Sequence, residues 1–119
     1  MPDHAPVHLE LHTSDLVAAT AFYTRLLGWR PEWVETRAGS YLTLATGGEV
    51  GAGIARCSID RPTWVPYVQV DRIDEATDRA RRLGACVSLG PCEGPAGWRS
   101  VLSSPGSGEV ALWQPKEWR

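Results

Sequence analysis

The chain has 119 residues, of which 43% are hydrophobic and 22% charged, with a formal net charge of −2. That length is one domain's worth and buries roughly two-thirds of its unfolded surface, so a real core is possible, while the charge balance excludes a disordered chain or a polyanion-coating protein and gives no reason to expect a nucleic-acid partner. No apolar run approaches about 18 residues, and MPDHAPVHLE lacks the basic segment and apolar block of a secretion signal, so the sequence reads as cytoplasmic with no membrane partner.

The first element is expected in VHLELHTSDL, residues 7 to 16. As a strand it puts Val7, Leu9 and Leu11 on one face and His8, Glu10 and His12 on the other. Two imidazoles and a carboxylate on one face admit three readings: a metal site, an acid/base site, or the wet side of an ordinary sheet. His-x-Glu-x-His on a strand is a weak metal signal, because alternate residues lie about 7 Å apart and only neighbouring pairs reach one ion. In an acid/base site, His8 or His12 would titrate near neutral pH, with Glu10 holding the tautomer or serving as a carboxylate base. On a wet cleft face, His8→Ala and Glu10→Gln should each leave stability within about 1 kcal/mol.

Ser14 or Asp15 can cap a helix whose apolar positions Ala19, Phe22, Tyr23, Leu26 and Leu27 fall at helical spacing, with Gly28 placed to end it. RPEWVETR, SYLTLAT and EVGAGIA follow as strand-like segments, and Arg56 to Thr63, containing Pro62, reads as a linker. WVPYVQV is the next strand, Asp71 the next cap candidate, and Ile73, Ala76, Ala80 and Leu83 the apolar stripe of a second helix before Gly84. The outer side of that helix pairs Glu75 with Arg79 and Asp78 with Arg82 at i,i+4, the pattern of a solvated face. CVSLGP, WRSVLSS and GEVALWQ complete the chain, so both halves read β-α-β-β-β. A module of half this length is marginal alone, and two should pack together, within the chain or across a dimer.

HLELHTSDLVAATAFYTRLLGW, YVQVDRIDEATDRARRLGACVSLGP and VLSSPGSGEVALWQP together resemble the vicinal oxygen chelate superfamily, which includes glyoxalase I, bleomycin resistance proteins and extradiol dioxygenases. The resemblance implies an α+β fold of two βαβββ modules, about 5–56 and about 64–115 joined by 57–63, forming curved mixed sheets around a cleft, commonly in a homodimer. In metal-binding members four ligands come from equivalent strand positions of the two modules. Here the first falls on His8, the second on Val65, and the two carboxylate positions on Gly53 and Ala111. One imidazole is short of the three or four ligands that zinc, nickel or iron needs, so neither a metal nor another cofactor is expected. Glu49 and Glu109 are the nearby carboxylates, and Glu109 shares strand parity with Ala111.

Trp29 and Trp64 read as packing residues. Trp98 follows GPCEGPAG, a Gly/Pro-rich stretch expected to form an irregular loop over the cleft, and Trp113 shares parity with Ala111 and Glu109. The same parity puts Tyr67 and Gln69 with Val65. The expected pocket therefore holds His8, Glu10, His12, Tyr67, Gln69 and Arg99 as polar groups beside Trp98, Glu109 and Trp113, a mixture suited to a flat organic ligand of moderate size. GGEVGAGI lacks G-x-G-x-x-G spacing and is not a nucleotide loop; its small residues leave room in the cleft. Ser103 and Ser104 beside Pro105 read as a turn, and Cys57, Cys86 and Cys92 as reduced structural thiols.

Three function classes follow. The first is a binding protein that sequesters a small, flat compound. The second is a metal-independent isomerase, cyclase or lyase of specialised metabolism that uses His8, Glu10 and His12 for proton transfer. The third, a metal-dependent glyoxalase or dioxygenase, has the least support because the ligands are missing.

Overall fold

A computed structural model describes residues 6–37, 39–58, 61–106 and 108–116. In chain order the elements are β1 (Pro6–Thr13), α1 (Leu16–Leu27), β2 (Arg30–Thr36), β3 (Gly39–Ala45), β4 (Gly51–Arg56), β5 (Thr63–Gln69), α2 (Ile73–Arg82), β6 (Cys86–Glu93), β7 (Gly97–Ser103) and β8 (Glu109–Pro115). The βαβββ plan thus occurs twice. The eight strands form one curled half-barrel sheet in the order β2-β3-β4-β1-β5-β8-β7-β6. The modules meet where β1 pairs antiparallel with β5, and each of these central strands pairs parallel with the last strand of its own module, β4 or β8.

Local chemistry accounts for the helix ends. The Asp15 carboxylate accepts the Ala18 N–H at 3.0 Å, and Gly28 at φ 72° closes α1 with its N–H on the Thr24 carbonyl. Asp71 does not cap α2: Arg72 holds that position without a side-chain cap bond, and the Ile73 N–H donates instead to Gln114 Oε1 at 2.9 Å, from β8. The exposed ion pairs on α2 are Arg72 with Glu75 and Arg81 with Asp78, at i,i+3 rather than at the expected i,i+4 spacing.

The Gly/Pro-rich stretch is also corrected. β6 runs through Pro91 to Glu93 and β7 starts at Gly97, so only residues 94–96 turn. Register shifts either side of Leu89 absorb the irregular sequence, and β6 is an edge strand, where a proline is tolerated.

Two cores hold the sheet on opposite faces. In module 1, Leu11, Leu42, Leu44, Ala52 and Ile54 form a buried cluster against Leu16, Ala19 and Tyr23 of α1, closed by Trp29 and Trp64. The Trp64 indole donates to the Tyr23 hydroxyl at 2.9 Å, and Tyr23 stacks on Trp29, so both tryptophans pack. Phe22, Leu26 and Leu27, expected in the buried stripe, are exposed. Beneath α2 the attachment is partly polar: fully buried Thr77 bonds the Ile73 carbonyl and the Ser100 hydroxyl. The second cluster, Val65, Tyr67, Val101 and Ala111 with Leu89 and Trp113, lies on the inner face, away from the helices. Among the described residues no helix is long and apolar enough to cross a membrane.

Candidate functional site

The inner face is built by strand alternation and register. His8, Glu10 and His12 of β1 lie opposite Tyr67, Val65 and Thr63 of β5, and opposite Gly51, Gly53 and Ala55 of β4. Tyr67 in turn opposes Ala111 of β8, which opposes Val101 of β7. The module repeat sets a further relation. Tyr67 follows Glu10 by 57 residues, the same step that carries the start of α1 to the start of α2 and His8 to Val65. Gly53 and Ala111 are likewise equivalent, each lying in register with one member of the Glu10/Tyr67 pair.

A polar network occupies this junction. Glu10 Oε1 accepts from the Tyr67 hydroxyl at 2.6 Å, from Arg99 Nη1 at 2.9 Å and from His12 Nε2 at 3.1 Å, while Oε2 lies 3.4 Å from His8 Nε2. Arg99 Nη1 also donates to the Tyr67 oxygen at 2.8 Å, and His12 Nε2 is 3.3 Å from that oxygen. Arg99 therefore reaches from β7 across β8 and β5 to a carboxylate on β1. Among the described residues, buried polar side-chain atoms all have partners.

The electrostatics follow from these contacts. Burial alone would raise the Glu10 pKa, but hydrogen bonds from His12, His8 and Tyr67 and the Arg99 charge outweigh it and hold the carboxyl well below the usual range. Burial, the Glu10 charge and the bond to Glu10 push the Tyr67 phenol up, so it keeps its proton and donates. Burial works against the Arg99 charge, yet Tyr67 and Glu10 more than compensate and its pKa rises. The pair is thus ionised and neutralised in place. The Cys57 thiol is pushed up by burial, with Glu10 and Glu109 adding to the effect, which suits an unactivated thiol.

The row is not simply wet. His12 and Tyr67 are buried, and the Glu10 side chain is only 18% exposed, because the sheet curls over the row and the carboxylate draws four side chains onto itself. His8 keeps the most solvent access of the row, at 27%. Its ring lies over the Gly51–Gly53 stretch: a Cβ on Gly53 would come within 3.1 Å of Nε2, and one on Gly51 within 3.4 Å of Nδ1. The room left by the small residues of β4 is filled by this imidazole.

A resident metal ion does not fit this donor set. Val65 and Ala111 are fully buried apolar residues, the space beside Gly53 holds His8, and the Arg99 cation sits on the carboxylate that a metal would need. Among the described residues no group of three or more His, Cys, Asp or Glu is arranged to hold one.

The remaining expected pocket residues divide. Trp113 joins the site: it lies in register with Arg99 and Gln69, and its ring centroid is 6.2 Å from that of Tyr67. Gln69 shares this face but is exposed at the end of β5, and Glu109 is exposed at the start of β8, opposite Ser103. Trp98 does not overhang the cleft. It lies inside β7 opposite Glu93 and Gln114, the parity opposite to that of Arg99, with the Lys116 ammonium 5.8 Å above its ring. Leu89 and Val101, absent from the expected pocket, complete the apolar wall beside Trp113. Parity along WRSVLSS would have found Val101, whereas the bulges in β6 hide Leu89.

Residues 7–113 match the family model described as a glyoxalase-like domain. The chain belongs to that family, and through it to the vicinal oxygen chelate superfamily. This glyoxalase-like chain is 29% identical to the anthracycline biosynthesis protein DnrV of Streptomyces peucetius, over 92% of its own length and 46% of the relative's. It spans less than half the length of the curated relatives it matches. Among solved structures, methylmalonyl-CoA epimerase from Mycobacterium tuberculosis superposes with a TM-score of 0.63 at 16% identity, covering 94% of this chain and 88% of that one. A mutant 4-hydroxymandelate synthase from Streptomyces coelicolor gives 0.63 at 21% identity, covering 98% and 40%. At such identities the likeness is one of fold.

Proposed function

We propose that this glyoxalase-like domain binds a flat organic molecule on the inner face at the junction of its modules, and does so without a metal. One observation carries the reading: a preorganised polar network, its charges already paired, stands beside an apolar wall of Leu89, Val101 and Trp113. Apolar walls supply affinity and a few fixed polar groups supply orientation. His8 and Arg99, both partly exposed, are the groups a ligand would meet. A neutralised network favours an uncharged polar aromatic over a strongly charged ligand, since no charge in it lacks a counter-charge. The likeness to a protein named for anthracycline biosynthesis supports a polycyclic aromatic ligand.

The test is a titration of the purified protein with an uncharged anthracycline aglycone, followed by tryptophan fluorescence in the wild type and in Trp113→Phe. Saturable quenching that weakens at least severalfold in the variant is expected. Equal quenching in both proteins, or none in either, overturns the reading.

The partly exposed His8 with its ring nitrogen near Glu10 favours a second reading, a metal-independent isomerase, cyclase or lyase in which His8 moves a proton. Glu10, held ionised by four partners, would then orient the imidazole rather than act as the base. The readings separate on His8→Ala. A binding protein loses about tenfold in affinity, whereas an enzyme loses roughly a hundredfold or more in turnover at nearly unchanged affinity.

A further inference from the structure

Most of the hydrogen-bonding capacity around Glu10 is spent inside the network. Oε1 already takes donors from Tyr67, Arg99 and His12, Oε2 faces His8, and the Tyr67 hydroxyl donates to Glu10 while it accepts from Arg99. Arg99 is different. Both of its bonds, to Glu10 at 2.9 Å and to Tyr67 at 2.8 Å, leave from the single nitrogen Nη1. A guanidinium carries five N–H donors, so with the two on Nη1 committed, the three on Nη2 and Nε remain, and among the described residues they meet no acceptor. They are not hidden either. Every buried polar side-chain atom among the described residues has a partner, so nitrogens without one reach solvent, in keeping with a side chain that is 31% exposed. Nη2 and Nε lie along one edge of the guanidinium plane and form the fork that meets two oxygens side by side. Pinning of Nη1 by two partners holds this fork in place. Arg99 is in register with Trp113, whose ring centroid is 6.2 Å from that of Tyr67, so a flat molecule against Trp113 has the fork at its edge.

We propose that Arg99 is the specificity-determining residue of the inner face, and that its free fork selects flat aromatic molecules carrying two acceptor oxygens side by side on one edge, such as a ring carbonyl with a hydroxyl at the neighbouring peri position. The inference rests on the binding reading and adds to it the polar edge of the ligand. Charge decides which kind of oxygen pair the fork takes. The Arg99 cation is already matched by the Glu10 carboxylate at 2.9 Å, so a carboxylate on the fork would set two anions against one guanidinium. An uncharged pair of oxygens accepts from the same donors without that repulsion. A ring with no oxygen on that edge would displace the water that solvates the fork and replace none of its hydrogen bonds, which costs affinity. An edge that only donates meets nothing on the fork that can accept.

Three probes of the same ring system test this by tryptophan quenching: 1-hydroxyanthraquinone, which carries the oxygen pair, anthracene, which carries none, and anthracene-1-carboxylate, which carries it as an anion. Each is titrated into the wild type and into Arg99→Lys, a variant that keeps a cation for Glu10 and lacks the fork. The wild type is expected to bind 1-hydroxyanthraquinone about tenfold more tightly than either other probe, and Arg99→Lys to narrow that preference to about twofold or less. The proposal is overturned if the wild type binds the hydroxyquinone and anthracene alike, if the carboxylate binds most tightly, or if the preference survives in folded Arg99→Lys. In those three cases the ligands still bind, and the binding reading stands without this one. Absence of quenching by all three probes defeats the binding reading, and this inference with it. If Arg99→Lys does not fold, the order of affinities in the wild type decides.

Discussion

Glu10 is the residue on which the site turns, because one carboxylate accepts from a phenol, a guanidinium and an imidazole while a second imidazole approaches its other oxygen. Glu10→Gln would leave the partly buried Arg99 without its counter-charge and would place an amide donor against donors. We expect it to cost about 2–3 kcal/mol in urea denaturation, more than a wet-face residue would. Tyr67→Phe removes one donor and leaves the charge pair, for about 1–2 kcal/mol. His8→Ala, at the exposed end of the row, should stay within about 1 kcal/mol. The acid behaviour has a definite sign. Since the folded carboxyl titrates below its unfolded value, its contribution is fully present above about pH 4.3 and is lost as pH falls further toward the folded value. The midpoint of thermal unfolding should therefore drop more steeply below about pH 4.3 in the wild type than in Glu10→Gln, and parallel curves would contradict the assignment.

The elements were legible wherever the signal was local. Each expected strand and helix is present, with the α1 cap at Asp15, because alternation, helical spacing and a short-range carboxylate leave their mark within a few residues. What was hidden depends on residues far apart in the chain. The α2 start is fixed by Gln114, 41 residues from Ile73, and Arg99 lies 89 residues from Glu10. Strand parity grouped His8, Glu10, His12, Tyr67 and Trp113 on one face; Trp98 was placed instead by reading a glycine-rich run as a loop, although β7 begins at Gly97. Gly97 yields the prediction proper to this scale. A Cβ there would run into the Gln114 carbonyl and come within 2.9 Å of the Trp113 ring, so Gly97→Ala should cost at least about 2 kcal/mol and alter the tryptophan emission. Gln114→Ala, which strips the acceptor from the α2 N-terminus, should cost about 1 kcal/mol in thermal denaturation.

For the whole molecule, the donor set argues that folding needs no ion. Elemental analysis of the purified chain should find substoichiometric zinc, nickel, iron and manganese, and chelator should leave the thermal midpoint in place; one tightly held ion per chain would contradict this. The pairing of Glu10 with Tyr67 carries a consequence for how such a molecule can be built. These residues hold the same place in the two halves of the repeat and touch across the line where the halves join. A protein made by doubling the first half would bring two carboxylates together there, which cannot both stay ionised at that separation. Doubling the second half would bring together two phenols and leave the arginine facing no anion. The chemistry at the junction thus exists only because the halves have ceased to be copies of one another. Neither half, expressed twice, could stand in for its neighbour, whereas the two different halves mixed as separate fragments could in principle rebuild the site.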